Sequence, residues 1–138
     1  MSLTKTKQPF LALSKICLNN WHYIDQKVLS FNDGINFFTG HSGSGKSTVI
    51  DAMQIVLYAN TDGRGFFNKA AADDSDRNLI EYLRGMVAVG EKDEVTYLRN
   101  KNFSTTIVLE FTQTESDEKE CLGVVFDVDT ARNDTSRL

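Results

Sequence analysis

The sequence predicts an α/β fold in which one glycine-led helix packs between a partly parallel sheet and an antiparallel β-subdomain. Three observations carry this. The apolar stretch "INFFT" runs into a glycine loop, "GHSGSGKS", and on into the helical pattern "TVIDAMQIVLY". Two later segments, "FSTTIVLEFTQ" and "CLGVVFDVD", alternate apolar and polar residues with the period of two that a half-buried strand requires. Near the start, "LALSKICLNNWHYI" has the β-branched and aromatic content of another strand.

The elements follow in order. Residues 1–10 read as a flexible terminus. The first strand is "LALSKICLNNWHYI", and "KVLSF" is a second, short one. Asn32 to Gly34 is a turn signal, so "KVLSFNDGINFFTG" reads as a hairpin-like unit whose second strand feeds the loop. The helix that follows is apolar at Val49, Ile50, Ala52, Met53, Ile55, Val56 and Leu57. Asp51, Gln54 and Tyr58 fall on one narrow polar stripe, so the helix is buried on most sides. "YANTDGRGFFNKAAADDSD" is loop-like. Ser75 or Asp76 caps a short helix, "DRNLIEYLRG", which Gly85 ends. "DEVTYLRN" is a strand. In the alternating pair, Phe103, Thr105, Ile107, Leu109 and Phe111 share one face, and Leu122, Val124, Phe126 and Val128 share another. The acidic turn "ESDEKE" joins them into a hairpin with one wet face. "TARNDTSRL" shows no pattern and reads as a truncated or disordered tail, 130–138. The folded unit is then 11–129.

A chain of 138 residues fits one domain with a true core. Its composition, 41% hydrophobic and 25% charged, is that of a globular protein. No apolar run is long enough to span a membrane, and no signal peptide precedes the first strand, so the expected location is cytoplasmic. A net charge of −4 speaks against a generally basic nucleic-acid binder. Cys17 and Cys121 give no metal or disulfide framework and are expected to fill apolar space.

The glycine loop is where the chemistry lies. Gly40, Gly45, Lys46 and Ser47 fit G-x-x-x-x-G-K-[ST], the P-loop or Walker A pattern, with a strand before it and a helix after it. A polyphosphate needs several N–H donors converging on it. Gly40, Gly43 and Gly45 permit the backbone to curl so that those donors point inward. The helix start adds further N–H groups and a positive dipole end. Lys46 brings an ammonium to the β- and γ-phosphates, as the candidate catalytic residue, and the Ser47 hydroxyl is the Mg²⁺ ligand. Thr48 adds a contact on the α-phosphate side. His41, Ser42 and Ser44 contribute backbone. The expected cofactors are ATP and Mg²⁺. Asp51 either meets a neighbouring lobe or is solvated. Hydrolysis also needs a Walker B carboxylate on an apolar strand, and Asp127 in "LGVVFDVD" is the one imitation, on a strand that reads as antiparallel.

The strands before Gly40, the Asn20-Trp21 pair and the Asp51-Ala52 helix together resemble the SMC, Rad50 and RecF branch of the ABC ATPases. "NNWHYI", "FFTGHSGSGKSTVIDAMQ", "FNKAA" and "RNLIEYLRG" are similar to the MukB-like SMC subunit of Wadjet-type condensins. Ser42 stands where that family's loop commonly has Asn. The resemblance implies an ABC-ATPase head assembled from both ends of a long chain, of which this is the N-terminal lobe. It implies a C-terminal lobe of the same protein carrying the signature motif and Walker B. It also implies a second head in an ATP-sandwiched dimer, DNA as the object of the work, and kleisin-like or accessory subunits. Arg64 is the positional match for an Arg that contacts phosphate. Arg77 and Arg84 either track a DNA backbone or are solvated helix charges, and the near balance of acidic and basic residues over 61–101 favours the latter. On this reading the chain binds Mg-nucleotide weakly and hydrolyses little. The alternatives are a complete small P-loop kinase or NTPase using Asp127, a fragment of a transporter nucleotide-binding domain with Trp21 or Tyr23 against adenine, and a non-catalytic module with a vestigial loop.

Overall fold

A computed structural model describes residues 9–32, 34, 36, 39, 45–58, 79–89, 95–132 and 134–137. Seven strands and two helices lie among them: β1 (Leu11–Trp21), β2 (Ile24–Ser30), α1 (Lys46–Tyr58), α2 (Leu79–Arg84), β3 (Met86–Val89), β4 (Val95–Tyr97), β5 (Phe103–Gln113), β6 (Lys119–Asp129) and β7 (Asp134–Arg137). Five strands form one sheet in the order β2-β1-β5-β6-β7, and β3 pairs with β4 in a separate ribbon. Every one of these pairings is antiparallel. The strand expected to feed the glycine loop falls largely outside the described residues, so the parallel part of the expected sheet does too.

The period-two pattern places the core. Ile16 and Leu18 of β1 pair with Leu109 and Ile107 of β5. Ile107 and Thr105 pair in turn with Val124 and Phe126 of β6. All of these are buried, together with Val128, on one face of the sheet. Helix α1 covers that face with Val49, Ala52, Ile55 and Val56, and α2 closes it with Leu79, Tyr82 and Leu83. Leu122 shares the face, as expected, but lies beyond the helix and is half exposed. Cys17 and Cys121 sit on the opposite face, Cys17 half-buried and Cys121 exposed, so Cys121 does not fill apolar space. Glu110 and Lys119 also lie on that wet face and form an ion pair.

Several expectations change at the turns. The first strand does not run through "NNWHYI": it stops at Trp21, and His22–Tyr23 form a two-residue turn into β2. Asn20 and His22 adopt positive φ, 52° and 51°. Asn20 is held there from β5, where its Nδ2 donates to the Ser104 carbonyl and its own carbonyl accepts from Thr105 Oγ1 at 2.7 Å. β1 and β2 therefore form a hairpin of their own, and the second strand of the hairpin expected at "NDG" lies largely outside the described residues. After β2, the side-chain amide of Asn36 accepts from the Asn32 N–H and donates to the Asn32 carbonyl. Gly85 ends α2 as expected, at φ +70° with its N–H on Glu81 and Tyr82 carbonyls. "MVAV" and the apparently patternless tail carry the short strands β3 and β7.

Candidate functional site

The described part of the glycine loop is its C-terminal end, Gly45 to Thr48; Gly40, His41, Ser42, Gly43 and Ser44 lie outside the described residues, as do Arg64, Arg77 and "FNKAA". Gly45 has φ +92°, and a Cβ there would meet nothing within 4 Å. The position demands glycine for its backbone rather than for space. The helical ladder starts immediately: the Val49 N–H donates to the Gly45 carbonyl at 3.2 Å. Lys46, Ser47 and Thr48 thus form the first turn of α1, at the positive end of its dipole. Ser47 is exposed, and Lys46 and Thr48 are half-buried. Their residue types and this geometry suit a polyphosphate with its magnesium ion: an ammonium and a hydroxyl stand in the first helical turn behind a left-handed glycine.

This end of the helix is tied to the β1–β2 turn and to α2. Trp21, with none of its surface exposed, donates its indole Nε1–H to the Thr48 carbonyl at 2.8 Å. One turn along, Asp51 is buried and its Oδ2 accepts from the Tyr82 hydroxyl at 3.0 Å. Asp51 therefore neither faces solvent nor shares an exposed stripe with Gln54. Helix α2 lies against it, and the contact could not be read from the helix's own periodicity. The exposed apolar residues of α1 are Ile50 and Leu57, at 41% and 52% exposure.

The Trp21 and Tyr82 rings lie 4.9 Å apart, and His22 stacks on Tyr82 at 4.1 Å with 13° between the planes. His22 Nδ1 meets the Tyr82 carbonyl at 3.0 Å; since a carbonyl only accepts, that nitrogen carries the ring proton. Arg99 locks the turn from beneath, with donors to the carbonyls of His22, Leu83 and Ile24 at 2.5, 2.7 and 3.1 Å. Burial pushes its pKa down, opposed by the nearby charge of Asp25 and a hydrogen bond to it. Sequence reasoning missed Arg99, Tyr82 and His22. The available signal was the run of ring side chains in "NNWHYI" beside the aromatic of "LIEYLRG".

The other candidates are placed as follows. Arg84 does not project as part of a basic stripe: its guanidinium lies over the Tyr97 ring at 4.1 Å, and its Nε donates to the Arg99 carbonyl. Asp127 sits on β6 between Phe126 and Val128, whose side chains face α1, so its own points to the opposite face of the sheet. There it accepts a hydrogen bond from Ser104 Oγ. The small-kinase reading requires Asp127 beside Ser47 on a parallel strand, and the antiparallel pairings of β6 with β5 and β7 do not provide it. Tyr23 packs its ring against His22 at 3.8 Å and Trp21 is buried, which leaves Trp21 no face to offer an adenine. Among the described residues no cluster of three or more His, Cys, Asp or Glu could hold a metal, and no helix is long and apolar enough to cross a membrane.

Residues 13–74 match a family described as the P-loop containing region of AAA domain. The DNA repair protein RecN of Synechocystis is 38% identical over 45 residues, which is 33% of this chain and 8% of that protein. The match therefore spans a small fraction of RecN's length. Among solved structures, an SMC ATPase, described in terms of ATP-driven dimerization and DNA-stimulated activation, aligns with a TM-score of 0.52 at 17% identity. It covers 92% of this chain and 68% of that one. The α/β fold is that of a P-loop NTPase of the SMC-head type, with its antiparallel sheet.

Proposed function

We propose that this chain is the ATP-binding N-terminal part of an SMC-like ATPase that acts on DNA, in repair, in plasmid or chromosome organisation, or in defence. The observation that carries the reading is the first turn of α1. Gly45, Lys46, Ser47 and Thr48 end a complete Walker A sequence at the start of a helix, on a fold shared with an SMC ATPase head. Within it, Lys46 binds the β- and γ-phosphates, Ser47 holds Mg²⁺, and the backbone from Gly40 to Gly45 wraps the polyphosphate, with Thr48 on the α-phosphate side. Bound Mg²⁺ would supply charge neutralisation and Lewis acidity at the γ-phosphate. Arg64 is assigned to the phosphates as well. The MukB-like subunit of a Wadjet-type condensin is the finer assignment, supported by "NNWHYI", "FNKAA" and "RNLIEYLRG".

The partners proposed are a C-terminal head lobe of the same protein, a second head across shared ATP, DNA, and kleisin-like or accessory subunits. With Asp127 turned away from α1, the catalytic carboxylate is assigned to the C-terminal lobe, so the 138 residues alone bind Mg-nucleotide weakly and turn it over little. Calorimetric titration with ATP, with and without Mg²⁺, tests this. Lys46→Ala should weaken binding by about tenfold or more, the effect of losing a charge-assisted contact. Equal binding by wild type and Lys46→Ala, or none by wild type even when joined to a C-terminal lobe, would remove the nucleotide reading and favour a non-catalytic module.

A further inference from the structure

We propose that Trp21 and Tyr82 are positioning residues for the phosphate end of α1, an aromatic bracket that sets where the Walker A helix sits and registers whether its phosphate end is occupied. The inference rests on the Mg-nucleotide reading above. It adds the groups that hold the loop's helix in place.

The bracket attaches at two points on one face of the helix. The Trp21 indole N–H bonds the carbonyl of Thr48, the residue directly after the motif, and the Tyr82 hydroxyl bonds Asp51, three residues on. Val49, Ala52, Ile55 and Val56 add apolar packing of α1 against the sheet. Burial of that kind is non-directional and holds a helix down without fixing its axial position to a fraction of an ångström. Hydrogen bonds have narrow distance and angle limits and do fix it. A phosphate site needs that precision, since its donors must converge on the same oxygens.

The bracket is itself a single body. Its two rings are 4.9 Å apart, His22 stacks on the Tyr82 ring, and the His22 ring nitrogen returns to the Tyr82 carbonyl. Arg99 fastens both supports, bonding the carbonyl of His22 in the turn and that of Leu83 in α2. A buried indole N–H and phenol O–H need partners wherever they sit; here both partners lie in the first turns of α1, beside the glycine loop. A shift of the first turn of α1 on phosphate binding must therefore move the Trp21 hydrogen bond, and with it α2. Trp21 is the single tryptophan of the chain, so its emission reports this contact without interference.

The test uses the 138-residue chain, titrated with Mg-ATP and followed both by calorimetry and by tryptophan emission. Wild type should show a saturable change in Trp21 emission with the same midpoint as the heat, and Lys46→Ala should show neither. Trp21→Phe and Tyr82→Phe keep a ring and remove one donor. Each should weaken Mg-ATP binding about three- to tenfold, the range for one lost hydrogen bond, at temperatures well below its own unfolding midpoint. A residue that only stabilises the fold would lower that midpoint and leave the affinity of the folded protein unchanged. Heat of binding with constant Trp21 emission, and unaltered affinity in Tyr82→Phe, would overturn the bracket while sparing the nucleotide reading. No binding by wild type, alone or joined to a C-terminal lobe, would overturn both. If Trp21→Phe fails to fold, the wild-type emission and Tyr82→Phe still decide.

Discussion

The guanidinium of Arg99 turns inward, and only 9% of its side chain is exposed. Its carboxylate neighbour Asp25 is almost fully exposed at 3.4 Å, so the ion pair contributes little. What matters is the set of backbone carbonyls, from His22, Ile24 and Leu83, which converge from three elements and have Arg99 as their shared donor. A planar fork meets such a set; a lysine ammonium, a single point donor on a shorter side chain, does not. Arg99→Lys is expected to destabilise the fold by about 2 kcal/mol, the cost of leaving buried carbonyls poorly paired, with the denaturant midpoint as the measure. An unchanged midpoint would mean that the β1–β2 turn is held by ring packing alone. None of this could be read from "TYLRN" in the sequence, where Arg99 is one basic residue among balanced charges. The Asp51 environment was hidden for the same reason: Tyr82, its partner, lies 31 residues away, and a helical wheel contains no information about such a neighbour.

Elements with several repeats of one period were legible, and short or interrupted ones were not. The bounds of β5 match the alternating segment, and α1 matches the apolar run after the loop, because eleven and thirteen residues sample their periods several times. Strands β3 and β7 have four residues each, too few to show a period. The turn at His22–Tyr23 was missed because its residues are aromatic and continue the composition of the strands on either side. A bulge in β1 was equally silent, and it has a consequence for pH. The register slips between Leu13 and Lys15, which brings Ser14 Oγ to Glu110 Oε1 at 2.9 Å. That hydrogen bond, above all, holds Glu110 below its ordinary value of 4.5; partial burial opposes it, and bonding and charge from Lys119, with the charge of Lys15, add to it. A carboxylate with a lowered folded-state pKa stabilises fully above the ordinary value and loses that contribution as pH falls through the lowered one. Glu110→Gln should therefore reduce thermal stability slightly at neutral pH and flatten its decline below pH 4.5. A decline parallel to wild type in a melting series from neutral pH to pH 3 would assign the acid sensitivity elsewhere.

At the scale of the molecule, the sheet separates Asp51 from Glu110 and Asp127. Helix α1, Asp51 and the bracket lie on the face formed by Ile16, Leu18, Ile107, Leu109, Phe126 and Val128. Glu110 and Asp127 lie on the other, and strand alternation makes that separation unavoidable once Phe126 and Val128 are buried. The sequence already showed the alternation, which is why an antiparallel reading of "LGVVFDVD" outweighed a Walker B reading. What it lacked was the side on which α1 packs. With that side known, Asp127 is a surface residue bonded to Ser104, with a β-sheet between it and Ser47. Asp127→Asn should leave Mg-ATP affinity within about twofold of wild type, since surface substitutions away from a site change free energies by about half a kcal/mol or less. Lys46→Ala in parallel should weaken binding by about tenfold or more. Any slow ATP turnover by the chain should likewise survive Asp127→Asn, because the carboxylate that completes hydrolysis is assigned to a C-terminal lobe. Loss of turnover in Asp127→Asn with affinity intact would reverse that assignment and bring back a self-contained NTPase, using a sheet arrangement other than the one described.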